Sequence, residues 1–319
     1  STNARARTML PTLLGFTTTA TLMISQAIVC GRRVRTPVRR TSTPPFRERV
    51  GRCSMEPSHE GGSMTSHDEI RASQRTAWAG LSAGWEKWDA TIMGQLAPVT
   101  TAMIDSLKIA DDQRHLDIAA GTGEPGLTIA SLAPNGHVVL SDLAVEMLDV
   151  AKHRASSRGI ANFETTVCSA DDLPFGDATF DSVTVRFGYM FPPDVVRATA
   201  EFVRVLTPGG RLCSSVWVRP EDNPWTTIVM QAIASEMPPG PPDPDRPNMV
   251  RCAAPGYVSA LYEAASLRDV AEWDVGVELV TASAEQYWEM MSEHVSLAVA
   301  ALQHVDEAAR DRIESAVIA

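Results

Sequence analysis

Residues 115–126 read HLDIAAGTGEPG: a short apolar stretch, a glycine turn and the opening of a helix. His115 to Ala120 has the length and composition of a buried strand. Gly121 and Gly123 let the backbone turn tightly and meet a ligand with no side chain in the way. Proline is tolerated in a first helical turn, so the helix is expected to start near Glu124 and Pro125, with Gly126 letting it sit close on the strand. Asp142 stands twenty-one residues after Gly121, at the end of the next apolar run, His137 to Leu140. Strand, glycine turn, helix and a second strand ending in an acid make the opening of a βαβ unit that holds its ligand at the turn.

That spacing fits two kinds of ligand. Gly121-x-Gly123-x-x-Gly126 followed by Asp142 satisfies the nicotinamide dinucleotide fingerprint. Asp117 and Glu124, however, set carboxylates against the turn, which repels a pyrophosphate and attracts a cofactor carrying an ammonium and a sulfonium. S-adenosylmethionine carries both, and its ribose offers two hydroxyls that Asp142 can accept as a pair.

The turn, with SDLAVEML (141–148), SADDLPF (169–175), FDSVTVRFG (180–188) and LTPGG (206–210), resembles the class I S-adenosylmethionine-dependent methyltransferases. Within them the likeness is nearest to the ubiquinone/menaquinone-biosynthesis C-methyltransferases and related small-molecule enzymes. It covers about residues 70 to 300, with the five motifs in the family's order. It implies methyl transfer from S-adenosylmethionine to a small acceptor, with carbon, oxygen and nitrogen all open as the atom methylated. A protein that binds the cofactor without catalysis, and a nicotinamide oxidoreductase, stand as alternatives.

On the turn itself Asp117, Ala119, Gly121, Thr122 and Gly123 are the candidate cofactor contacts. Many relatives have glycine where Ala119 stands, and alanine is tolerated there if its φ is negative. After Asp142, the resemblance sets Leu143 against the adenine, with Met147 one helical turn on; Asp142 can also cap the helix that follows. Relatives carry Asp-Ala after the third strand, whereas this chain has Ser169-Ala170, so the adenine contact is weaker or passes to Asp171. Arg186, at the end of the fourth strand, can hold a carboxylate, the cofactor's or a neighbour's.

The remaining pattern alternates strand and helix, which predicts a doubly wound, mostly parallel α/β sheet of Rossmann-like type, with N-terminal helices and a helical lid insertion. Strands are expected at 115–120, 137–141, 163–168, 180–186, 210–218 and 268–280. The domain is expected to span 64–319: helices 66–109, a cofactor core 112–218, a lid 219–265, and a C-terminal strand and helices 266–319. Trp78, Trp85 and Trp88 fall on one helix face. Trp78 and Trp88 read as core, and Trp85 takes the place of the aromatic that closes over the cofactor in relatives. Trp85, Tyr189 and Trp225 are the candidate acceptor contacts, and Tyr189 and His294 the candidate bases. The proline-rich run 237–244 sits in the lid. The family's last strand, antiparallel and inserted beside the fifth, has no counterpart after residue 283, which leaves an edge open.

Residues 1–63 hold ten arginines against three glutamates, a net of +7, so in a chain of net charge −11 the remainder carries −18. A body that acidic excludes a nucleic-acid partner. The leader shows no sustained periodicity. It reads as a signal peptide built on the run Met9 to Cys30, as an Arg-rich transit peptide, or as sequence upstream of a true start at Met64. With five threonines, Met9 to Cys30 is too polar for a membrane span. Five cysteines without C-x-x-C pairing read as free thiols of a cytoplasmic protein, and no metal site is expected. The partner expected is a small-molecule acceptor, with no nucleic acid and no stable membrane insertion.

Overall fold

The computed structural model describes residues 20–33, 66–238, 240 and 246–319. Its sheet has seven strands: β1 (Ala20–Arg33), β2 (Arg114–Ile118), β3 (His137–Asp142), β4 (Phe163–Val167), β5 (Phe180–Arg186), β6 (Leu206–Trp217) and β7 (Leu267–Thr281), in the spatial order β4-β3-β2-β5-β6-β1-β7. β2 to β6 run parallel, while β1 is antiparallel to both β6 and β7. The strands read from the sequence are all present, and the doubly wound α/β architecture stands. β2 and β5 are neighbours although β3 and β4 lie between them in the chain, and ligands bind beyond the strand ends at such a reversal.

β2, β3 and β5 are buried nearly throughout because helices cover both faces. The parallel crossovers are α3 (Gly126–Leu132), α4 (Val145–Ser157) and α5 (Val195–Val205). Before β2 come α1 (His67–Gln95) and α2 (Ala97–Leu107). α1 starts where the sequence places it, on a capping box: Ser66 Oγ accepts from Glu69 N, and Glu69 accepts from Ser66 N at 2.7 Å. α6 (Pro224–Glu236) and α7 (Tyr257–Ala264) precede β7, and α8 (Ala284–His294), α9 (Ser296–Leu302) and α10 (Glu307–Ile318) follow it. α6 packs on α8, α9 and α10 and on β1, so this part of the expected lid is built into the body. Most of the proline run, 239 and 241–245, lies outside the described residues.

The separation of residues 1–63 from the domain does not hold for 20–33. β1 fills the place between β6 and β7, so the edge expected to be open is covered, by a strand from the start of the chain. Ile28 and Val29 are fully buried, one on each face, and Arg32 pairs with Asp269 at 2.7 Å. A strand buried on both faces is a continuous apolar run rather than an alternating one. Such a run between arginines reads equally as a secretory signal, which is why periodicity missed it. The targeting and start-site readings of 1–19 and 34–63 lie outside the described residues.

The reading of all cysteines as free thiols is also corrected. Cys30 and Cys213 face each other in register on β1 and β6 and form a disulfide. They are 183 residues apart in sequence, a distance at which no spacing motif announces a pair. Cys168 and Cys252 are free, and burial pushes both thiols up to about 12, so neither is a thiolate at neutral pH. Among the described residues no helix is long and apolar enough to cross a membrane, and no cluster of His, Cys, Asp and Glu could hold a metal ion.

Candidate functional site

A cavity opens over the carboxyl ends of β2, β3, β4 and β5. Of the residues picked from the sequence, Ala119, Gly121, Thr122, Asp142, Leu143, Met147, Ser169, Ala170, Arg186 and Trp85 line it. Gly121 has φ +53°. A Cβ there would meet only the Met147 methyl, at 3.6 Å, so the turn's backbone lies open to the cavity. Gly126 lets α3 press on the sheet, since a Cβ there would collide with Leu140. Ala119 has φ +52°, against the negative value its tolerance required. It therefore holds a left-handed conformation that costs an alanine roughly 1–2 kcal/mol. Gly188 faces it from β5, and any side chain at 188 would collide with Ala119 Cβ.

Asp117, Gly123 and Asp171 do not line the cavity. Asp117 lies beneath the turn, fully buried, accepting from Gly126 N at 2.9 Å and from Thr184 Oγ1 at 2.7 Å. Thr184 Oγ1 is in turn 2.8 Å from His115 Nε2. Because Thr184 donates its hydroxyl proton to Asp117, it accepts from His115, and a three-residue relay braces the turn from below. Burial pushes Asp117 up to about 7, against the lowering effect of its two donors, and drives His115 down to about 3. Asp171 is taken up by Arg71, at 2.8 Å, and by Ser169 Oγ, at 2.5 Å.

The carboxylates at the turn are balanced. Glu124 pairs with Arg158 at 2.5 Å and Arg154 at 3.4 Å, and Asp89 pairs with Arg154 at 2.8 Å. The charge argument that set the nicotinamide reading aside is therefore weaker than the sequence made it. Asp142 lines the cavity and does not cap α4, whose N-cap is Ala144: one oxygen accepts from Ala144 N at 3.0 Å, the other from Gly121 N at 2.9 Å. Each carboxylate oxygen has a second lone pair, so both remain able to accept from a diol. Arg186 lines the cavity, donating to the Glu124 carbonyl at 3.0 Å. Arg71 also lines it and was missed, because its place depends on how α1 lies across the strand ends, which spacing does not encode.

Beside this cavity lies a second, apolar chamber that shares Trp78, Trp85, Leu96, Phe187 and Phe191 with it. Trp217, Trp225, Met249, Leu279 and Met290 form its far wall. Phe187 stacks on Trp217 with centroids 4.3 Å apart, and Trp217 meets Trp225 at 4.8 Å. Trp85 and Trp225 both line this apolar chamber. Trp78, read as core, is a wall of both cavities, whereas Trp88 is buried as expected, its indole N–H donating to Glu293 at 2.7 Å. Tyr189 is not at the mouth: it is fully buried, its hydroxyl bonded to Thr199 Oγ1. Ile228, Val229 and Met230 of α6, and Met237 just after it, pack with the hydrophobic core and do not line the chamber.

Residues 85–234 match the ubiE/COQ5 methyltransferase family. The demethylmenaquinone methyltransferase of Thermus thermophilus is 43% identical over 102 residues, 31% of this chain and 45% of that protein. The ubiquinone/menaquinone biosynthesis C-methyltransferase UbiE of Cellvibrio japonicus is 39% identical over 121 residues, 37% of this chain and 49% of that protein. The chain thus spans about half the length of the relatives it matches. The solved structure of the YcgJ protein from Bacillus subtilis covers 67% of this chain and 87% of its own, at 22% identity and a TM-score of 0.46.

Proposed function

We propose, taking residues 85–234 as a methyltransferase core of the ubiE/COQ5 type, that the protein transfers a methyl group from S-adenosylmethionine to a carbon of a small, flat, quinol-like acceptor. One observation carries this reading: a cavity over the glycine turn, with a carboxylate at its β3 end, adjoins an aromatic chamber that, among the described residues, is lined by no acidic or basic side chain other than His294. The residues present suit the cofactor. Asp142 would accept the ribose hydroxyls, Leu143 and Met147 would flank the adenine, and the Gly121–Thr122 backbone and Arg186 would hold the amino-acid end. Bound there, S-adenosylmethionine supplies a methyl on a sulfonium, ready for in-line displacement.

The chain's own part is to orient and to exclude water. Two reactants held in line replace a bimolecular encounter, which is worth up to roughly 7–11 kcal/mol. Trp78, Trp85 and Phe187 border both cavities and would grip the acceptor ring beside the methyl. A single unit made of β1 and residues 66–319 would carry the whole site. The test is transfer of tritiated methyl from S-adenosylmethionine to a panel of naphthoquinols and benzoquinols. Label in a ring-methylated product supports the reading. Tight binding of S-adenosylhomocysteine with no transfer to any of them would point instead to a non-catalytic binding protein.

A further inference from the structure

Among the side chains lining the aromatic chamber, one is a base. His294 closes α8 and is 6% exposed. Its Nδ1 lies 2.5 Å from the Met290 carbonyl oxygen. A carbonyl only accepts, so Nδ1 carries the proton and Nε2 is left with its lone pair. Nothing among the described residues donates to that lone pair. α8 is drawn against α1 at Gly84, where any Cβ would collide with the Glu293 carbonyl oxygen. This brings the imidazole edge-on to Trp85, centroids 5.5 Å apart, beside the wall that the two cavities share. The neighbouring carboxylate, Glu293, is spent on Lys87 at 2.8 Å and on Trp88. No other titratable side chain lines the chamber among the described residues.

That lone pair has no donor among the described residues, and a ligand seated in the chamber that His294 lines can supply one. An aromatic chamber selects a ring, and the lone pair selects a ring that bears a hydroxyl. We propose that His294 is the catalytic base, its Nε2 accepting the hydroxyl proton of a phenolic acceptor seated in the chamber; this rests on the methyltransferase reading above. As the acceptor attacks, its O–H bond breaks and the proton goes to Nε2. The electron pair left on the acceptor forms the bond to the methyl carbon, and the carbon–sulfur bond breaks with its pair to sulfur. When a ring carbon is the attacking atom, the dienone formed regains its hydroxyl by tautomerising, and one proton is released overall. Positive charge passes from sulfonium to imidazolium, so the paired cavities hold one such charge before and after. Burial pushes the imidazole down to about 4, which leaves it neutral and able to accept when substrate arrives.

The experiment follows quenching of tryptophan fluorescence by 2-naphthol and by 2-methoxynaphthalene, in wild type and in His294→Ala. Wild type is expected to bind the naphthol at least tenfold more tightly. The variant is expected to lose that preference, keep S-adenosylhomocysteine affinity within twofold, and transfer methyl at least a hundredfold more slowly, with part of the rate restored by added imidazole. Wild type that does not distinguish the two probes overturns the proposal without any variant, and so does a His294→Ala protein that still prefers the naphthol or keeps full activity. Failure of wild type to bind S-adenosylhomocysteine sinks the methyltransferase reading and the base with it, while the naphthol comparison still reports whether His294 recognises a hydroxyl.

Discussion

The two halves of the sheet are built on different information. In the parallel half, β2, β3 and β5 are each followed in the chain by a helix, α3, α4 and α5, so local pattern and global position agree. In the antiparallel half, β1 meets β6 and β7 from more than 170 residues away, and nothing nearby in sequence says so. The first half holds the cofactor cavity. The second carries Trp217 and Leu279, which wall the aromatic chamber, so that chamber depends on the half that sequence reading could not see.

The largest effect that separates the halves is removal of β1. A protein beginning at Met64 loses an interior strand with Ile28 and Val29 fully buried, leaving β6 paired only with β5 and β7 without its partner strand. Two such side chains alone account for about 3–6 kcal/mol. It is expected to melt at least about 6 °C lower, at roughly 2–4 °C per kcal/mol, with acceptor binding lost. An unchanged thermal transition would mean that β1 contributes nothing to the folded unit.

A smaller effect belongs to the parallel half. His115 has its pKa driven from the ordinary 6.5 to about 3 by burial. Below pH 6.5 the unfolded chain takes up a proton that the folded chain refuses, so this contribution is full above 6.5 and is lost as pH falls toward 3. The loss is about 1.4 kcal/mol per pH unit. Denaturant titrations at pH 6.5 and 4.5 should show His115→Asn losing some 2–3 kcal/mol less stability than wild type over that interval. Asp117 works in the opposite sense: raised to about 7, its contribution is present below its ordinary value and fades as pH rises through 7. Parallel slopes for wild type and variant would mean that His115 titrates normally.

Gln26 lies on β1, fully buried, with neither amide atom hydrogen-bonded among the described residues. Gln26→Met keeps the shape and removes the unmet polar groups, and is expected to stabilise by about 1–3 kcal/mol. Destabilisation in the same denaturant titration would show that the carboxamide has a partner. The smallest change expected is at the turn. Ala119→Gly relieves the left-handed alanine but adds freedom to the unfolded chain, for a net gain of about 1 kcal/mol or less, and a fall in melting temperature would contradict the strain.

These effects follow what was legible. That the glycine turn, Asp142, Leu143 and Met147 come to one cavity could be read because a βαβ unit holds these positions at fixed offsets from one strand. Ala119's φ could not, since its Cβ occupies room that Gly188, beyond the end of β5, leaves free. Asp117 was given the wrong task for a similar reason: a carboxylate near the mouth reads as a ligand until the Thr184 hydroxyl beside it is seen. Tyr189 and His294 were equal candidates in sequence, and packing alone separates them, the first in the core and the second on the chamber wall. The Cys30–Cys213 pair and Arg71 depend on contacts between distant elements, which no local pattern carries.

The measurement that bears most directly on the account is calorimetric titration of the full chain and of Asp142→Ala with S-adenosylhomocysteine and with NAD. The account predicts that S-adenosylhomocysteine binds wild type in the micromolar range, about −8 kcal/mol. Asp142→Ala should weaken it by roughly 1–3 kcal/mol as charged hydrogen bonds are lost, and NAD should give no heat. NAD binding at comparable strength, or an Asp142→Ala protein that binds S-adenosylhomocysteine as wild type does, would contradict the assignment of the turn.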